Sequence, residues 1–505
     1  MKFVVVGGGS AGWMSAATLV SQISGAEITV IEPSNSPTIG VGESTINDFV
    51  DWLNLLKISP EGIMKDTDAI FKLAIHFKNF YSENDEGLFY PFGGWGKTMN
   101  DLPNSELAAL WNKRRIFHNE SCRNWADSFY ANMALIRNKT FTSRTELFDG
   151  KHFALHFDAI KFANCLKTNY CLPRGVKVVE GEVAYVNTNS EGVSSVILKD
   201  GVEVRGDFFL DCTGFKSILL GGAMGEPFVP YEGLPNNKAW ATQIPYVSKE
   251  TELEPFTDCT ALGNGWVWNI PLWSRIGTGY VFSDEFVTED EALAEFKEYL
   301  GRKGRDPEQF QYKLIKFRTG IHKRTWVKNV VGIGLAAGFI EPLESSGLWT
   351  IHTNLIELSR ILTRGSWNAW DISNFNWNIE KLFIQFAQFV HIHYTLSTRR
   401  DTAYWRKVAS QEEPVMEELR MARLNTVKWN YTTGINCILN GMKYWLFDDV
   451  RMRSHIPYYC NIKEEAFSIL DENWKVWDEA SRRAPPLLEI LRSIHDPYVH
   501  QVVEI

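Results

Sequence analysis

The sequence has no long hydrophobic run. None of its 505 residues lies in a stretch that approaches the ~18 consecutive apolar residues a membrane-spanning helix needs. The short apolar run at residues 3–6 is interrupted by glycines and no cleavage site follows it, so it predicts a first β-strand rather than a signal peptide. We expect a cytoplasmic protein without a membrane partner.

Cysteine and positive charge are also scarce. The 7 cysteines are widely spaced, with no CxxC pair and no Cys/His cluster of zinc-binding spacing, which predicts free thiols and no metal. The formal net charge is −9 and no dense stripe of Lys and Arg is present, whereas binding to nucleic acid needs a positive surface. The expected binding partner is therefore a small molecule.

A glycine-rich turn stands in the sequence context of a dinucleotide-binding fold. Residues 3–32 are typical of a buried strand, a turn, an Ala-rich helix and a second strand, and Gly7, Gly9 and Gly12 satisfy the pattern GxGxxG. In such a turn Gly7 permits the sharp bend, Gly9 lets the backbone approach a pyrophosphate, and Gly12 lets the helix pack closely on the strand. A glycine-rich turn without a ligand is the alternative interpretation.

Residues beside this turn complete the predicted site. Ser10 and Ala11 begin the helix, whose free N–H groups and dipole favour a phosphate. Glu32 follows 20 residues after Gly12, at the end of the second strand, where a carboxylate can accept hydrogen bonds from an adenosine ribose. A surface acid is the simpler alternative for Glu32.

Two later glycines favour FAD over NAD as the dinucleotide. Gly214 ends a strand in the segment 211–215, and Gly334 lies in the segment 330–338, as do the later cofactor turns of two-domain flavoproteins. No second complete GxGxxG unit for a nicotinamide cofactor occurs in the sequence. We therefore expect a separate NAD(P)H-dependent flavin reductase to supply reduced FAD.

These patterns define the expected fold class, which is α/β. We expect a Rossmann-like FAD-binding module of the two-domain flavoprotein type, interleaved with a substrate module of β-sheet plus C-terminal helices. Residues 176–215 indicate a β-meander, and no repeat or linker separates the modules, while homo-oligomerisation stays open. We assign to the FAD-binding module residues 1–80, 150–222 and 325–362, and to the substrate-binding module residues 81–149, 223–324 and 363–505.

Five segments carry recognisable motifs: residues 7–14, 38–45, 266–271, 339–347 and 393–405. Trp266 and Trp268 form a WxWxIP motif, although paired tryptophans on a strand are also explained by sheet packing. Taken together, the segments resemble the flavin-dependent tryptophan halogenase family. The resemblance implies an enzyme that uses FADH2, O2 and a halide ion to halogenate a small electron-rich aromatic through hypohalous acid. The rivals are a flavin-dependent aromatic monooxygenase and a non-catalytic FAD-binding protein.

The resemblance implies catalytic roles for a lysine and a glutamate. Lys72, in the strand pattern of residues 69–81, matches the lysine that binds the hypohalous acid or becomes a haloamine. Without the resemblance, a solvated lysine is the simpler interpretation. Glu344 matches the carboxylate that stabilises the cationic ring intermediate and takes its proton. His76 lies ~13 Å along an extended strand from Lys72, so the two side chains cannot bind the same oxygen atom. We therefore expect His76 to be a packed or hydrogen-bonded histidine.

The resemblance also implies cofactor and halide contacts in two segments. In one, the backbone amides of Ser346 and Gly347 match the halide site, and Ser345 or Ser346 is also a suitable N-cap for the apolar helix that follows. In the other, the implied cofactor-binding residues are Gly40, Val41, Gly42 and Glu43.

The substrate pocket departs most from the family pattern. Relatives that act on free tryptophan have a histidine in an aromatic clamp where this sequence has Ala109–Trp111, and residues 429–445 match only loosely. An indole, phenol or pyrrole, free or tethered to a carrier, is therefore favoured over free tryptophan. The expected pocket residues are Trp111, Ser345, Trp266 and Trp268.

Overall fold

The computed structural model describes residues 1–33, 42–93, 125–143, 152–411, 437–438, 441–442 and 465–496. In this part of the chain the β-strands are β1 Lys2–Val6, β2 Glu27–Glu32, β3 Ile70–Lys72, β4 Ala74–Lys78, β5 Leu88–Pro91, β6 Ala154–His156, β7 Lys177–Glu180, β8 Val183–Asn189, β9 Gly192–Leu198, β10 Glu203–Arg205, β11 Phe208–Asp211, β12 Phe228–Pro230, β13 Lys238–Ile244, β14 Phe256–Ala261, β15 Gly265–Pro271, β16 Ile276–Phe282, β17 Lys313–Lys316, β18 Gly320–His322, β19 Trp326–Val327, β20 Val330–Gly332 and β21 Gly338–Phe339. The α-helices are α1 Ser10–Gln22, α2 Asp48–Leu55, α3 Pro60–Thr67, α4 Trp125–Phe129, α5 Asn132–Asn138, α6 Ala159–Cys165, α7 Lys249–Glu252, α8 Glu289–Arg302, α9 Ser346–Leu362, α10 Ala369–Thr395, α11 Ala403–Val408, α12 Glu465–Arg483 and α13 Leu487–His495.

The chain divides into two compact units that alternate along the sequence. Residues 70–80, which the sequence groups with the FAD-binding module, lie in unit 2 because β4 pairs there with β14 and β5. Unit 1 comprises Met1–Ala69, Leu155–Ala241 and Tyr312–Ala387, and unit 2 comprises Ile70–Ala154, Thr242–Gln311 and Gln388–Ile505.

A largely parallel sheet forms the centre of unit 1. Among the described strands its order is β19-β20-β11-β1-β2-β7, and only β19, at one edge, runs antiparallel to its neighbour. Residues 3–6 of β1 are all buried, as expected for a parallel strand that is covered on both faces. Helix α1 follows β1 directly and packs against α9. The α/β fold class and the amino-terminal βαβ unit are therefore confirmed.

The predicted β-meander is only partly correct. Strands β8, β9 and β10 form an antiparallel sheet, whereas β7 and β11, at the two ends of the same segment, join the parallel sheet. Turn residues in the sequence indicate where strands end but not which strands pair. The complete burial of β11, with the sequence FFLD, fits a central parallel strand and not an edge of a meander.

A mixed sheet forms the centre of unit 2. Within the described part of this unit the strand order is β16-β15-β14-β4-β5, and β14 and β4 are the parallel pair. Helix α8 begins with a capping box between Thr288 and Glu291 and packs on β16, and Asn269 of β15 donates to the Tyr299 hydroxyl (2.9 Å). The predicted strand at residues 69–81 is broken at Leu73 into β3 and β4.

The cysteines that the structure describes are free and buried: Cys165, Cys171, Cys212, Cys259 and Cys437. The same residues contain no group of three or more His, Cys, Asp or Glu that could hold a metal ion. Of the helices in the described ranges, none combines the length and apolarity needed to cross a membrane.

Candidate active site

The GxGxxG turn follows β1 in unit 1, and two of its positions require glycine. Gly7 has a φ of +119°, and a side chain there would overlap the carbonyl group of Cys212. A side chain on Gly12 would overlap the carbonyl oxygen of Gly7, because α1 approaches the turn this closely. These two glycines are therefore needed for the turn itself.

Gly9 differs because its missing side chain faces open space. A Cβ added there would have no atom of the described residues within 4 Å, and the backbone is extended with a φ of −80°. Gly9 is the N-cap of α1 and so offers no side chain to the first N–H groups, while the Ser10 hydroxyl donates to the carbonyl of Ala159 (3.3 Å). Open space in front of an uncapped helix N-terminus is a cradle for a pyrophosphate, so this turn fits the phosphates of FAD.

The acid at the end of β2 lies beside this turn. Glu32 forms an ion pair with Lys167, which belongs to the π-helical segment Leu166–Cys171. A side chain on Gly8 would overlap the Cβ of Glu32, which shows how closely the acid approaches the turn. Lys167 thus holds the predicted ribose-binding carboxylate in place.

A second turn follows β11, the strand next to β1. The buried Asp211 carboxylate accepts hydrogen bonds from the Thr213 N–H (3.0 Å) and hydroxyl (2.6 Å) and from the N–H groups of Leu219 (2.7 Å) and Leu220 (2.8 Å). Burial raises the pKa of Asp211 above its ordinary value in spite of these donors. The four hydrogen bonds hold the turn at Gly214, which has a φ of +69° and, among the described residues, open space where a side chain would be.

A third turn follows β20, on the other side of β11. Gly334 has a φ of +63°, and a Cβ there would lie 3.1 Å from side-chain atoms of Ala11 in α1 and Ile351 in α9. The three turns therefore stand at the carboxyl ends of the neighbouring parallel strands β1, β11 and β20. Ligands of open α/β sheets bind at this edge.

The predicted halide residues lie where α9 begins. Ser345 occupies the N-cap position, but its backbone is left-handed (φ +59°) and its hydroxyl does not cap the helix. Its Oγ lies 3.0 Å from Ser44 Oγ instead, and the Ser346 hydroxyl donates backwards to the carbonyl of Ile340 (3.1 Å). The predicted side-chain cap is therefore wrong, since no side-chain hydrogen bond caps α9 at Ser345.

Two buried glutamates precede this turn in unit 1. Glu341 accepts a hydrogen bond from Asn236 Nδ2 (2.8 Å). Glu344 ends the 3-10 helical segment Pro342–Glu344 and is followed directly by Ser345. Glu344, the predicted base, therefore directly precedes Ser345, which has the left-handed backbone conformation.

Three of the predicted residues, Gly40, Val41 and Trp111, lie outside the described residues. Glu43 belongs to the same predicted segment as Gly40 and Val41. It is buried, and its backbone carbonyl accepts a hydrogen bond from the Phe157 N–H (2.9 Å). A Cβ on Gly42 would meet no described atom within 4 Å.

Lys72 lies at the end of β3 in unit 2 and is fully buried. Its Nζ is 5.0 Å from the centroid of the Phe92 ring. Asn132 Nδ2 donates to the carbonyls of Leu73 (3.2 Å) and Phe92 (2.9 Å), the residues that directly follow β3 and β5. The alternative of a solvated lysine is therefore wrong, because the side chain is buried.

His76 is hydrogen-bonded, as predicted, with Asp258 as its partner. His76 Nδ1 and Lys78 Nζ lie 3.1 Å and 2.9 Å from Asp258 Oδ1, and the imidazole stacks on Phe89 with 3.9 Å between ring centroids. Burial opposes ionisation of Asp258, but the His76 hydrogen bond and the Lys78 charge outweigh it and hold the pKa of this carboxyl below its usual range.

Trp266 and Trp268 are buried in β15, with 6.3 Å between their ring centroids. Trp268 lies opposite Cys259 of β14 and Gly279 of β16, because β15 is paired on both sides. The Nε1 of Trp266 has no hydrogen-bond partner in the described ranges. Their role in a substrate pocket stays a prediction.

The predicted site residues divide between the two units. The three glycine turns, Glu32 and the α9 turn belong to unit 1, whereas Lys72, Trp266 and Trp268 belong to unit 2. The interactions that sequence reasoning missed join residues far apart in the chain: Lys167 is 135 residues from its partner, Asp258 is 182, and Ser44 is 301. No local spacing signals such pairs, although Ser44 directly follows a predicted cofactor residue.

Unit 1 therefore has a Rossmann-like fold with an uncapped helix N-terminus after its first strand, and unit 2 contains a buried lysine. The family profile described as tryptophan halogenase matches residues 2–440. The tryptophan 6-halogenase ThaL of Streptomyces albogriseolus is 33% identical over 423 residues, which cover 80% of this chain and 78% of that protein. The tryptophan 7-halogenase RebH of Lentzea aerocolonigenes is 34% identical over 420 residues, again covering 80% and 78%.

A solved structure shows the same similarity over nearly the whole chain. Tar14, a flavin-dependent tryptophan C-6 halogenase from taromycin biosynthesis, has a TM-score of 0.86 at 27% identity and covers 98% of this chain and 99% of its own. The chain belongs to the tryptophan halogenase family. It is a flavin-dependent halogenase, an oxidoreductase for which family membership implies FAD and a halide ion.

Proposed function

We propose that this halogenase acts on a small electron-rich aromatic ring, of the indole, phenol or pyrrole type, through hypohalous acid that Lys72 directs to the ring. The observation that carries the proposal is the complete burial of the Lys72 ammonium beside the Phe92 ring. An ammonium shielded from water makes stronger hydrogen bonds than a solvated one. Bound reduced FAD supplies the electrons with which O2 is converted into an oxidant for the halide.

The FAD is held by unit 1 in this proposal. The open cradle at Gly9 receives the pyrophosphate, and the Glu32 carboxylate, kept beside the turn by Lys167, accepts from the ribose. The remaining contacts are assigned to Gly7, Ser10, Ala11, Gly12, Gly40, Val41, Gly42, Glu43, Gly214 and Gly334.

The halide binds at the start of α9. The amides of Ser346 and Gly347 open a helix of 17 residues, whose dipole favours an anion at this end. The hydroxyls of Ser345 and Ser346 are turned to Ser44 and to the Ile340 carbonyl, so they do not occupy the anion position.

Lys72 and Glu344 handle the protons of the halogenation step. The Lys72 ammonium donates a hydrogen bond to the oxygen of hypohalous acid and then its proton, so that this oxygen leaves as water while the ring carbon bonds the halogen. The ring proton lost from that carbon passes to the Glu344 carboxylate. The ring is thereby halogenated and its aromaticity restored.

An indole is the first substrate to test, because the named relatives are tryptophan halogenases. Free tryptophan is less favoured than other indoles because residues 109–111 lack the histidine of the family clamp. We also propose that a separate NAD(P)H-dependent flavin reductase supplies the reduced FAD, since the sequence has one complete GxGxxG unit.

The test supplies FADH2 from a separate reductase to wild type, Lys72→Ala and Glu344→Gln, with chloride, bromide or iodide and a panel of indoles, phenols and pyrroles. Halogenated products are identified by mass spectrometry. Lys177→Ala is the matched control, because Lys177 also lies on a strand but is exposed. We expect halogenation by wild type and the control, and loss of product in Lys72→Ala with the FAD Kd unchanged.

Three outcomes contradict the proposal. If wild type yields no halogenated product across the panel, the proposed halogenation of these rings is wrong. Hydroxylated product formed without halide supports an aromatic monooxygenase. If Lys72→Ala halogenates the substrate at the wild-type rate, the role proposed for Lys72 is wrong.

A further inference from the structure

Ser345 stands at the junction of the two groups that must act together at the start of α9. It separates Glu344 from the amides of Ser346 and Gly347, and its φ of +59° is in the left-handed region, which a residue with a side chain rarely adopts. Backbone strain of this kind persists only where surrounding interactions hold it, and it concentrates at functional sites.

Ser345 has a hydrogen bond to a distant part of unit 1. Ser44 Oγ and Ser345 Oγ lie 3.0 Å apart, and both side chains are buried. We call these two residues the serine pair. The Ser345 N–H also donates to the carbonyl of Pro342 (3.0 Å), which closes the 3-10 turn that carries Glu344. The hydroxyl contact therefore acts at the residue that joins this turn to α9.

Ser44 is itself rigidly placed by its neighbours. The Thr45 N–H and hydroxyl donate to the carbonyl of Leu155 (3.1 and 2.8 Å), and the Leu155 N–H donates back to the Thr45 hydroxyl (2.9 Å). On the other side, the Glu43 carbonyl accepts from the Phe157 N–H (2.9 Å). Backbone hydrogen bonds therefore fix the chain on both sides of Ser44. The hydrogen bond between the two hydroxyls in turn restrains Ser345.

We propose that Ser44 is a positioning residue for halogenation: its hydrogen bond to Ser345 holds the left-handed turn that sets the Glu344 carboxylate and the Ser346 and Gly347 amides relative to each other. This inference rests on the proposed function of the α9 turn. Loss of either hydroxyl removes this hydrogen bond and with it a restraint on the turn, so both single variants have the same defect.

The test compares Ser44→Ala, Ser345→Ala and the double variant with wild type. Ser194→Ala is the control, since its hydroxyl donates to the Asn187 carbonyl in the antiparallel sheet of unit 1. The readouts are kcat, the halide KM, the FAD Kd, the thermal midpoint, and a halide titration of the FAD-loaded protein followed by flavin fluorescence.

We expect the halide KM and the fluorescence midpoint to rise on the order of 10-fold in both single variants, as loss of one buried hydrogen bond implies. The double variant is no worse than either single one, because the two residues share one interaction. Ser345→Gly recovers part of the loss, because glycine adopts the left-handed conformation without strain. FAD Kd and thermal midpoint stay close to those of the control.

The inference is overturned if either single variant keeps the wild-type halide midpoint, if the double variant shows the sum of two separate losses, or if FAD Kd rises as much as the halide midpoint. Failure of the proposed function is visible separately, in wild type. A wild type that gives no halogenated product but retains the halide titration refutes that function, and the titration of the variants then decides on the serine pair.

Discussion

Gly9→Ala separates cofactor binding from folding more cleanly than any other change in the glycine turn. A Cβ at this position meets no described atom within 4 Å, and the φ of −80° is accessible to alanine. The folded protein therefore tolerates the methyl group, and reduced freedom of the unfolded chain stabilises the variant by about 0.4–1 kcal/mol.

The same methyl group fills the cradle in which we place the pyrophosphate. Each lost hydrogen bond between an amide and a phosphate oxygen weakens binding by about 1.5–3 kcal/mol, or on the order of 10- to 150-fold in Kd. The apo protein is titrated with FAD and flavin fluorescence is followed, while urea unfolding without FAD measures stability. We expect a large rise in Kd together with unchanged or increased stability.

Gly301→Ala is the matched control for this experiment. Gly301 lies in α8 of unit 2 and also has open space, among the described atoms, where a side chain would be. Alanine there stabilises the helix by about 0.5–1 kcal/mol and leaves FAD affinity unchanged. If Gly9→Ala binds FAD as wild type does, the pyrophosphate does not bind at Gly9. If Gly9→Ala lowers the free energy of unfolding, the folded protein has no room for a methyl group at this position.

Two further predictions concern buried titratable groups. His352 is buried with neither ring nitrogen bonded in the described ranges, and burial lowers its pKa to about 3, so the unfolded chain takes up a proton that the folded one refuses. Stability is therefore lost as the pH falls from 6.5 towards 3, and the advantage of His352→Phe in urea unfolding grows by about 1.4 kcal/mol per pH unit; stability curves that stay parallel between pH 7.5 and 5.5 contradict this. Asp258→Asn removes the carboxylate that binds His76 and Lys78 and destabilises unit 2 by about 2 kcal/mol at pH 7. Because the folded pKa is lowered, this deficit is fully present above pH 3.8 and shrinks below it, and thermal midpoints at pH 7 and pH 3 with an equal deficit would falsify the ionised pair.

Much of the local structure was predictable because its causes lie within a few residues. The glycines of the first turn, the acid at the end of β2 and the strand pattern around Lys72 all follow from spacing and residue type. The same reasoning placed a helix after residue 345, and it occurs as α9. The prediction of the helix cap was wrong. A serine before an apolar helix usually caps it, whereas here the Ser345 hydroxyl is hydrogen-bonded to Ser44.

The pairing of strands was less predictable because it depends on distant parts of the chain. Strands β7 and β11 have the turns and residue types of a meander but join the parallel sheet, where β2 and β1 offer hydrogen bonds and buried faces. The break at Leu73 has the same origin, since its N–H donates to the Pro255 carbonyl and its own carbonyl accepts from the Phe92 N–H.

The sequence by itself determined the glycine-rich turn after β1, the fold class and the residue types of the predicted site, because glycine conformation and hydrophobic periodicity act locally. Only the tertiary structure decided which groups hold these residues. Lys167 beside Glu32, Asp258 beside His76 and Ser44 against Ser345 are separated by more than a hundred positions in the chain. Such contacts arise when sheets and helices pack, and packing of distant segments leaves no periodic signal in the sequence.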